Sequence, residues 1–161
     1  MMRVHVCSVG RMVKTAESVL IEDYLGRFNW TGRKLGLGPC LSHEVDDRRG
    51  GGPDAEAALL ERSIPAGAVL CCMDERGALL SSPEFAQKLS GWRDSGVGDV
   101  AFVIGGADGI ARSLRAKADF MISFGPMVWP HRLARVMLYE QLYRATTILA
   151  QLPYHRASYA G

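Results

Sequence analysis

The last residues of the chain combine three side chains that are suited to holding a nucleobase. In the run Pro153–Arg156, Tyr154 offers an aromatic plane, His155 an imidazole and Arg156 a guanidinium. An aromatic ring stacks on an unpaired base, an imidazole exchanges a hydrogen bond or a proton, and a guanidinium pairs with phosphate. The tail therefore suits an extruded base. Taken alone, however, the motif is weak, and a frayed chain end is the first expectation.

A second unusual segment is an apolar loop bounded by two prolines. It consists of Gly125, Pro126, Met127, Val128, Trp129 and Pro130. Because a solvated loop is normally polar, this composition predicts a loop buried in a pocket or at an interface. The prolines restrict the backbone, so its amide and carbonyl groups are already arranged to contact a flat heterocycle. The alternative is a loop that simply packs under the last helix.

A pair of glycines, Gly105 and Gly106, follows the apolar run Val100–Ile104. Without a Cβ atom, each allows a ligand to approach the backbone closely. The pair does not have the G-x-G-x-x-G spacing of a dinucleotide site, and no Gly-Lys-Ser/Thr follows, so a P-loop is also disfavoured. A tight turn between a strand and a helix is the alternative explanation.

The remaining reactive side chains give weaker signals. Glu140 and Arg144 have the i, i+4 spacing of a helical ion pair, with the acid first. None of the four cysteines belongs to a CxxC pair and the four histidines are scattered, so we expect reduced, buried thiols and no metal site. The cysteines are Cys7, Cys40, Cys71 and Cys72, and the histidines are His5, His43, His131 and His155.

Strand-like and helix-like segments alternate along the chain, which predicts an α/β fold with a mostly parallel sheet. Parallel sheets bind ligands beyond the carboxyl ends of their strands. Residues 74–77, 105–106 and 125–130 each follow an apolar strand, so we expect them to share one crevice. The predicted strands are residues 3–9, 41–45, 68–73, 100–104 and 119–124, and the predicted helices are 15–28, 54–62, 82–92, 110–116 and 131–150.

Composition indicates a single globular domain over residues 1–161, with 48% hydrophobic and 22% charged residues. No apolar run is long enough for a membrane span and the N-terminus lacks a signal-peptide pattern, so a soluble intracellular protein is expected. The net charge of +2 does not by itself indicate nucleic-acid binding. Arginines that could form local basic patches, or merely a solvated surface, are Arg48, Arg49, Arg132, Arg135, Arg144 and Arg156.

Four motifs in order resemble the ribosomal large-subunit methyltransferase H family, in the SPOUT superfamily of knotted methyltransferases. They are Phe-Val-Ile-Gly-Gly-x-x-Gly at 102–109, Trp-Pro-His-x-x-x-Arg at 129–135, Glu-Gln-Leu-Tyr-Arg-Ala at 140–145 and Tyr-His-Arg at 154–156. The resemblance implies a SPOUT-type fold with a C-terminal trefoil knot. It also implies S-adenosylmethionine-dependent methylation of N3 of a pseudouridine in 23S ribosomal RNA, on the assembled ribosome. A cytoplasmic homodimer, with no membrane or DNA partner, is expected.

By position, the resemblance places Met73, Gly105, Gly106 and the loop 125–130 in the cofactor site. We expect His155 to handle the proton, Arg144 and Arg156 to stabilise negative charge or hold phosphate, and Tyr154 to stack on the base. The tail of one subunit could reach the cofactor loop of the other. Two alternatives stay open: a knotted methyltransferase for another RNA, such as transfer RNA, and a ribosome-binding protein without enzymatic activity.

Overall fold

The computed structural model describes residues 1–46, 48 and 50–156, and its centre is a five-stranded parallel sheet. The strand order is β2-β1-β4-β3-β5, and every neighbouring pair is parallel. The predicted α/β architecture is therefore confirmed, while the trefoil knot stays a prediction. The strands are Met2–Val9 (β1), Leu37–Val45 (β2), Val69–Leu79 (β3), Asp99–Ile104 (β4) and Phe120–Ser123 (β5).

Five helices connect the strands and cover both faces of the sheet. Thr15 caps the first helix with Ser18, and Ser81 caps the third with Glu84. None of the helices in the described ranges is long and apolar enough to cross a membrane. The helices are Ala16–Gly32 (α1), Gly52–Ser63 (α2), Ser82–Asp94 (α3), Arg112–Arg115 (α4) and His131–Leu149 (α5), with a 3-10 turn at Arg33–Leu35.

The sheet separates two hydrophobic cores, and neighbouring residues of β3 belong to different ones. Cys71 packs on the face covered by α1, α3 and α5, whereas Cys72 packs on the face covered by α2 and α4. Consecutive strand residues point to opposite faces, and both cysteines are free, buried thiols, as expected. Burial raises the pKa of the Cys72 thiol to about 12, so it stays protonated and unreactive.

The prediction that β3 ends at Met73 is wrong, because the strand continues to Leu79. Met73 and Ala78 both lie opposite Ile122 of β5, so residues 74–77 leave the ladder and return to the same point. A Cβ atom at Gly77 would lie 2.5 Å from the backbone nitrogen of Ile122, which explains the glycine there. This excursion places polar residues at the carboxyl edge of the sheet.

The second strand begins earlier than predicted. β2 starts at Leu37, where the sequence predicts a start at Leu41. Gly36 adopts a left-handed conformation with φ of 72°, which turns the chain from the 3-10 turn directly into the strand.

Candidate functional site

Three segments at the carboxyl edge of the sheet line one crevice. Residues 105–106 follow β4, residues 74–77 interrupt β3, and residues 125–130 follow β5. These three strands are neighbours in the sheet, and the segments enclose a cavity of about 430 Å³. The predicted convergence of these segments is confirmed. The predicted residues in its wall are Met73, Gly105, Gly106, Gly125, Met127, Val128 and Trp129, whereas Pro126 and Pro130 are exposed and lie outside the residues that line it.

A second cavity of about 450 Å³ adjoins the crevice and is more apolar. The two cavities share Met73, Ile122, Phe124 and Gly125. The side chains that line only the second cavity come from the β3–α3 region and from α5. They include Leu79, Leu80, Phe85, Met137 and Leu138, with Ser81, Ser82, Glu140 and Gln141 as polar members. Together the cavities suit an elongated ligand with one flat apolar part and one charged part.

The polar crevice contains a buried carboxylate between two arginines, which sequence reasoning missed. The side chain of Asp74 is 6% exposed, and its carboxylate lies 3.1 Å from Arg76 Nη1 and 4.0 Å from Arg115 Nε. Arg115 also donates a hydrogen bond to the carbonyl oxygen of Ile110 at 3.1 Å. The signal in the sequence that could have pointed to this pair is Arg115, which lies in the short helix that follows Gly105 and Gly106.

The two glycines after β4 are explained by close packing within the chain. A Cβ atom at Gly105 would lie 2.5 Å from the backbone of Gly109, and one at Gly106 would lie 2.9 Å from the carboxylate of Glu56 and 3.3 Å from Val9. The amide of Gly109 donates to the carbonyl oxygen of Gly106 at 3.0 Å, closing a tight turn. The tight-turn explanation is therefore confirmed, and contact with a cofactor at these glycines stays a prediction.

The proline-bounded loop is largely exposed in the single chain. Val128 is 90% exposed and Met127 72%. Gly125, with φ of 103°, turns the chain away from the sheet before α5 begins at His131. Burial of the whole loop in a pocket of its own chain and packing under the last helix are both wrong. Cover for this apolar loop, by a ligand in the crevice or by a partner at an interface, stays a prediction.

The tail is packed against α5 and is not frayed over residues 153–156. Arg144 Nε lies 2.9 Å from Glu140 Oε1, which confirms the predicted ion pair. Nη1 of the same arginine lies 3.2 Å from His155 Nδ1, and the guanidinium sits 4.7 Å from the centre of the Tyr154 ring. Arg156 is exposed. The structure therefore brings three of the four predicted catalytic residues together.

The surroundings of Arg144 and Tyr154 keep these two side chains in fixed protonation states. The hydrogen bond that Arg144 donates to Glu140 raises the pKa of Arg144, and burial raises the pKa of Tyr154, so the guanidinium stays charged and the phenol neutral. Because Glu140 also lines the apolar cavity, the cluster adjoins the cavity from the α5 side.

The predicted basic patches are only partly present. Arg135 is 3% exposed, so its inclusion in a basic surface is wrong. Arg48 pairs with Asp46 at 2.7 Å, and Arg49 lies outside the described residues. Arg132 is exposed beside the proline-bounded loop.

A family model and two relatives of high identity point to the same family of methyltransferases. A family model described as "Predicted SPOUT methyltransferase" matches residues 2–155. The ribosomal RNA large subunit methyltransferase H of Ruegeria pomeroyi is 64% identical over 155 residues, which is 96% of this chain and 99% of that protein. The protein of the same name from Dinoroseobacter shibae is 61% identical over the same shares. A probable methylase family protein from Haemophilus influenzae superposes with a TM-score of 0.49 and 11% identity over 99% of this chain and 72% of that chain, too distant a likeness to bear on function.

Proposed function

This chain belongs to the ribosomal RNA large subunit methyltransferase H family of SPOUT methyltransferases, and we propose that it methylates N3 of a pseudouridine in 23S ribosomal RNA. The methyl donor is S-adenosylmethionine, the substrate is presented in the assembled ribosome, and the protein acts in the cytoplasm as a homodimer. The observation that carries the proposal is the 64% identity over nearly the full length of a relative with that name.

The residues around the two cavities fit S-adenosylmethionine. The apolar cavity, with Phe85 and Leu138 in its wall, suits the adenosine, and the serines beside them offer hydrogen bonds. The crevice offers Arg115 and Arg76 to a carboxylate and Asp74 to an ammonium group. When bound, the cofactor supplies a methyl group activated by a positively charged sulfur.

The protein's own contribution is to orient the base and to favour loss of its N3 proton. Arg144 holds a fixed positive charge beside the tail, where it favours negative charge on the base. Tyr154 offers a ring for stacking, and the exposed Arg156 suits a phosphate of the RNA. These roles rest on the packing of the tail against α5 next to the apolar cavity.

An exposed apolar surface supports the homodimer. Leu79, Met127, Val128 and Leu133 are exposed, and the first three of them line the two cavities. A second copy that covers this surface would also exclude water from the site, and its tail could complete the site.

The test is methylation of purified large subunits and whole ribosomes with labelled cofactor, followed by mass spectrometry of the modified nucleoside. Arg144→Ala and His155→Ala should lose activity while calorimetric cofactor affinity is kept. Methyl incorporation into transfer RNA instead of ribosomes would favour a different RNA substrate. Ribosome binding without affinity for S-adenosylmethionine would favour a non-enzymatic role.

A further inference from the structure

The contact between Arg144 and His155 determines which ring nitrogen of the histidine carries the hydrogen. An arginine side chain has only donors, so Nδ1 of His155, 3.2 Å from Arg144 Nη1, must accept. The neutral ring then carries its hydrogen on Nε2. The guanidinium is itself held by Glu140 through Nε at 2.9 Å, so it cannot turn away without losing that ion pair.

The opposite side of the ring presents a donor without an acceptor. His155 Nε2 is buried and has no hydrogen-bond partner within the part of the chain that the structure describes. Buried donors are normally paired, and an unpaired one is a place where a ligand atom gains a favourable contact. Residues 153–156 belong to no helix or strand, so a small displacement of the tail exposes Nε2 to an incoming base.

We propose that His155 donates a hydrogen bond through Nε2 to a carbonyl oxygen of the substrate base, and that Arg144 is the positioning residue that fixes this tautomer. The inference rests on the proposed function. N3 of pseudouridine lies between two carbonyl groups, and when its proton passes to water the negative charge spreads to their oxygens. A donor at one of these oxygens stabilises that charge. His155 is therefore not the base that removes the N3 proton, because its only free nitrogen already carries a hydrogen.

Two substitutions distinguish a role of His155 as a hydrogen-bond donor from a role as a base. His155→Gln places an amide N–H near the position of Nε2 but cannot take up a proton, whereas His155→Ala removes both abilities. We expect His155→Ala to lower ribosome methylation by about 100-fold, the effect of losing one well-placed donor, and His155→Gln to recover at least about tenfold of it. Equal loss in both variants, with cofactor affinity and melting temperature unchanged, overturns the inference.

A spectroscopic measurement tests the tautomer without any activity. Nitrogen-15 spectra of the full-length protein, assigned by comparison with His155→Ala, should show Nδ1 of His155 unprotonated and Nε2 protonated. Arg144→Met should remove this preference. A hydrogen on Nδ1 in the unaltered protein overturns the inference. If the unaltered protein methylates no ribosomes, the proposed function fails while the tautomer is still measured, so the two failures are distinguishable.

Discussion

Arg135 Nη1 lies 2.7 Å from Glu44 Oε2, and this contact ties the last helix to the first two strands. Nη2 of the same arginine donates to the carbonyl oxygens of Val9 and Gly10, at 2.7 and 3.0 Å. Glu44 also accepts from the amide of Met12 at 2.9 Å. Burial lowers the pKa of Arg135, and Glu44 opposes that change. The start of α5, next to the polar crevice, therefore depends on one buried cation with a carboxylate partner.

Replacing this carboxylate should destabilise the fold. We expect Glu44→Gln to lower the free energy of unfolding by about 2 kcal/mol, less than for a fully buried pair because Glu44 is part-exposed. Urea denaturation measures the change. Glu61→Gln is the control, because its pair with Lys117 is exposed and should contribute less than about 1 kcal/mol. Similar effects in both variants would contradict a special role for the buried pair.

Gly77 should tolerate no side chain, because β5 backbone atoms occupy the space where a Cβ atom would be. We expect Gly77→Ala to lower the free energy of unfolding by about 1–3 kcal/mol, since the β3–β5 pairing must shift. Gly26→Ala is the matched control: nothing lies within 4 Å of its Cβ position in the middle of α1. That change should stabilise the protein by about 0.5–1 kcal/mol. Thermal unfolding that shows the same sign for both would count against the observed β3–β5 register.

Arg115 should contribute to cofactor affinity if the polar crevice holds the charged end of S-adenosylmethionine. We expect Arg115→Gln to weaken calorimetric binding by about tenfold, the loss of one charge-assisted hydrogen bond. Arg112→Gln, in the same short helix but exposed and outside the crevice wall, should bind normally. Because Arg115 also bonds to Ile110, melting temperatures must be compared. Normal affinity in Arg115→Gln would remove this residue from the site.

His43 should make the stability of the fold decrease in mild acid. His43 Nε2 lies 3.0 Å from His5 Nδ1, and His5 Nε2 lies 2.8 Å from Asp99. Burial, with a contribution from His5, lowers the pKa of His43. The unfolded chain therefore takes up a proton below about pH 6.5, where the folded chain resists it, so stability falls as the pH drops from 7 to 5.

Denaturation at a series of pH values checks this expectation. His43→Gln should flatten the slope between pH 7 and 5. Asp99, whose pKa Arg3 and His5 hold below its ordinary value, loses its contribution only as the pH falls through the carboxylate range below about 4. An unchanged slope in His43→Gln would show that another group responds to acid in this interval.

Much of the sheet and the shared crevice followed from local patterns. The apolar run before Gly105 predicts β4, and the position of Thr15 predicts the start of α1, in each case from neighbouring residues alone. The convergence of three loops follows from parallel topology alone, since the carboxyl ends of parallel strands meet at one edge. These features need no knowledge of which distant residues touch.

What the sequence did not predict depends on contacts between distant segments. The apolar run predicts a strand that ends at Met73, and β3 extends to Leu79 because Ala78 and Leu79 pair with β5 after the excursion at residues 74–77. The pairing of the buried Asp74 with Arg115 joins the excursion in β3 to helix α4, which are 41 residues apart in the sequence. Composition suggested that the proline-bounded loop is covered, but Val128 is 90% exposed because Gly125 directs the loop outward.

The order of strands in the sheet also determines how much of the chain must be synthesised before the crevice can form. The crevice needs β3, β4 and β5 side by side, and β5 pairs only with β3 among the described strands. A nascent chain released only as far as β4 would lack one wall of the crevice and the whole of the tail. If the crevice holds the cofactor as proposed, the protein can bind it only after translation has delivered the C-terminal third of the chain.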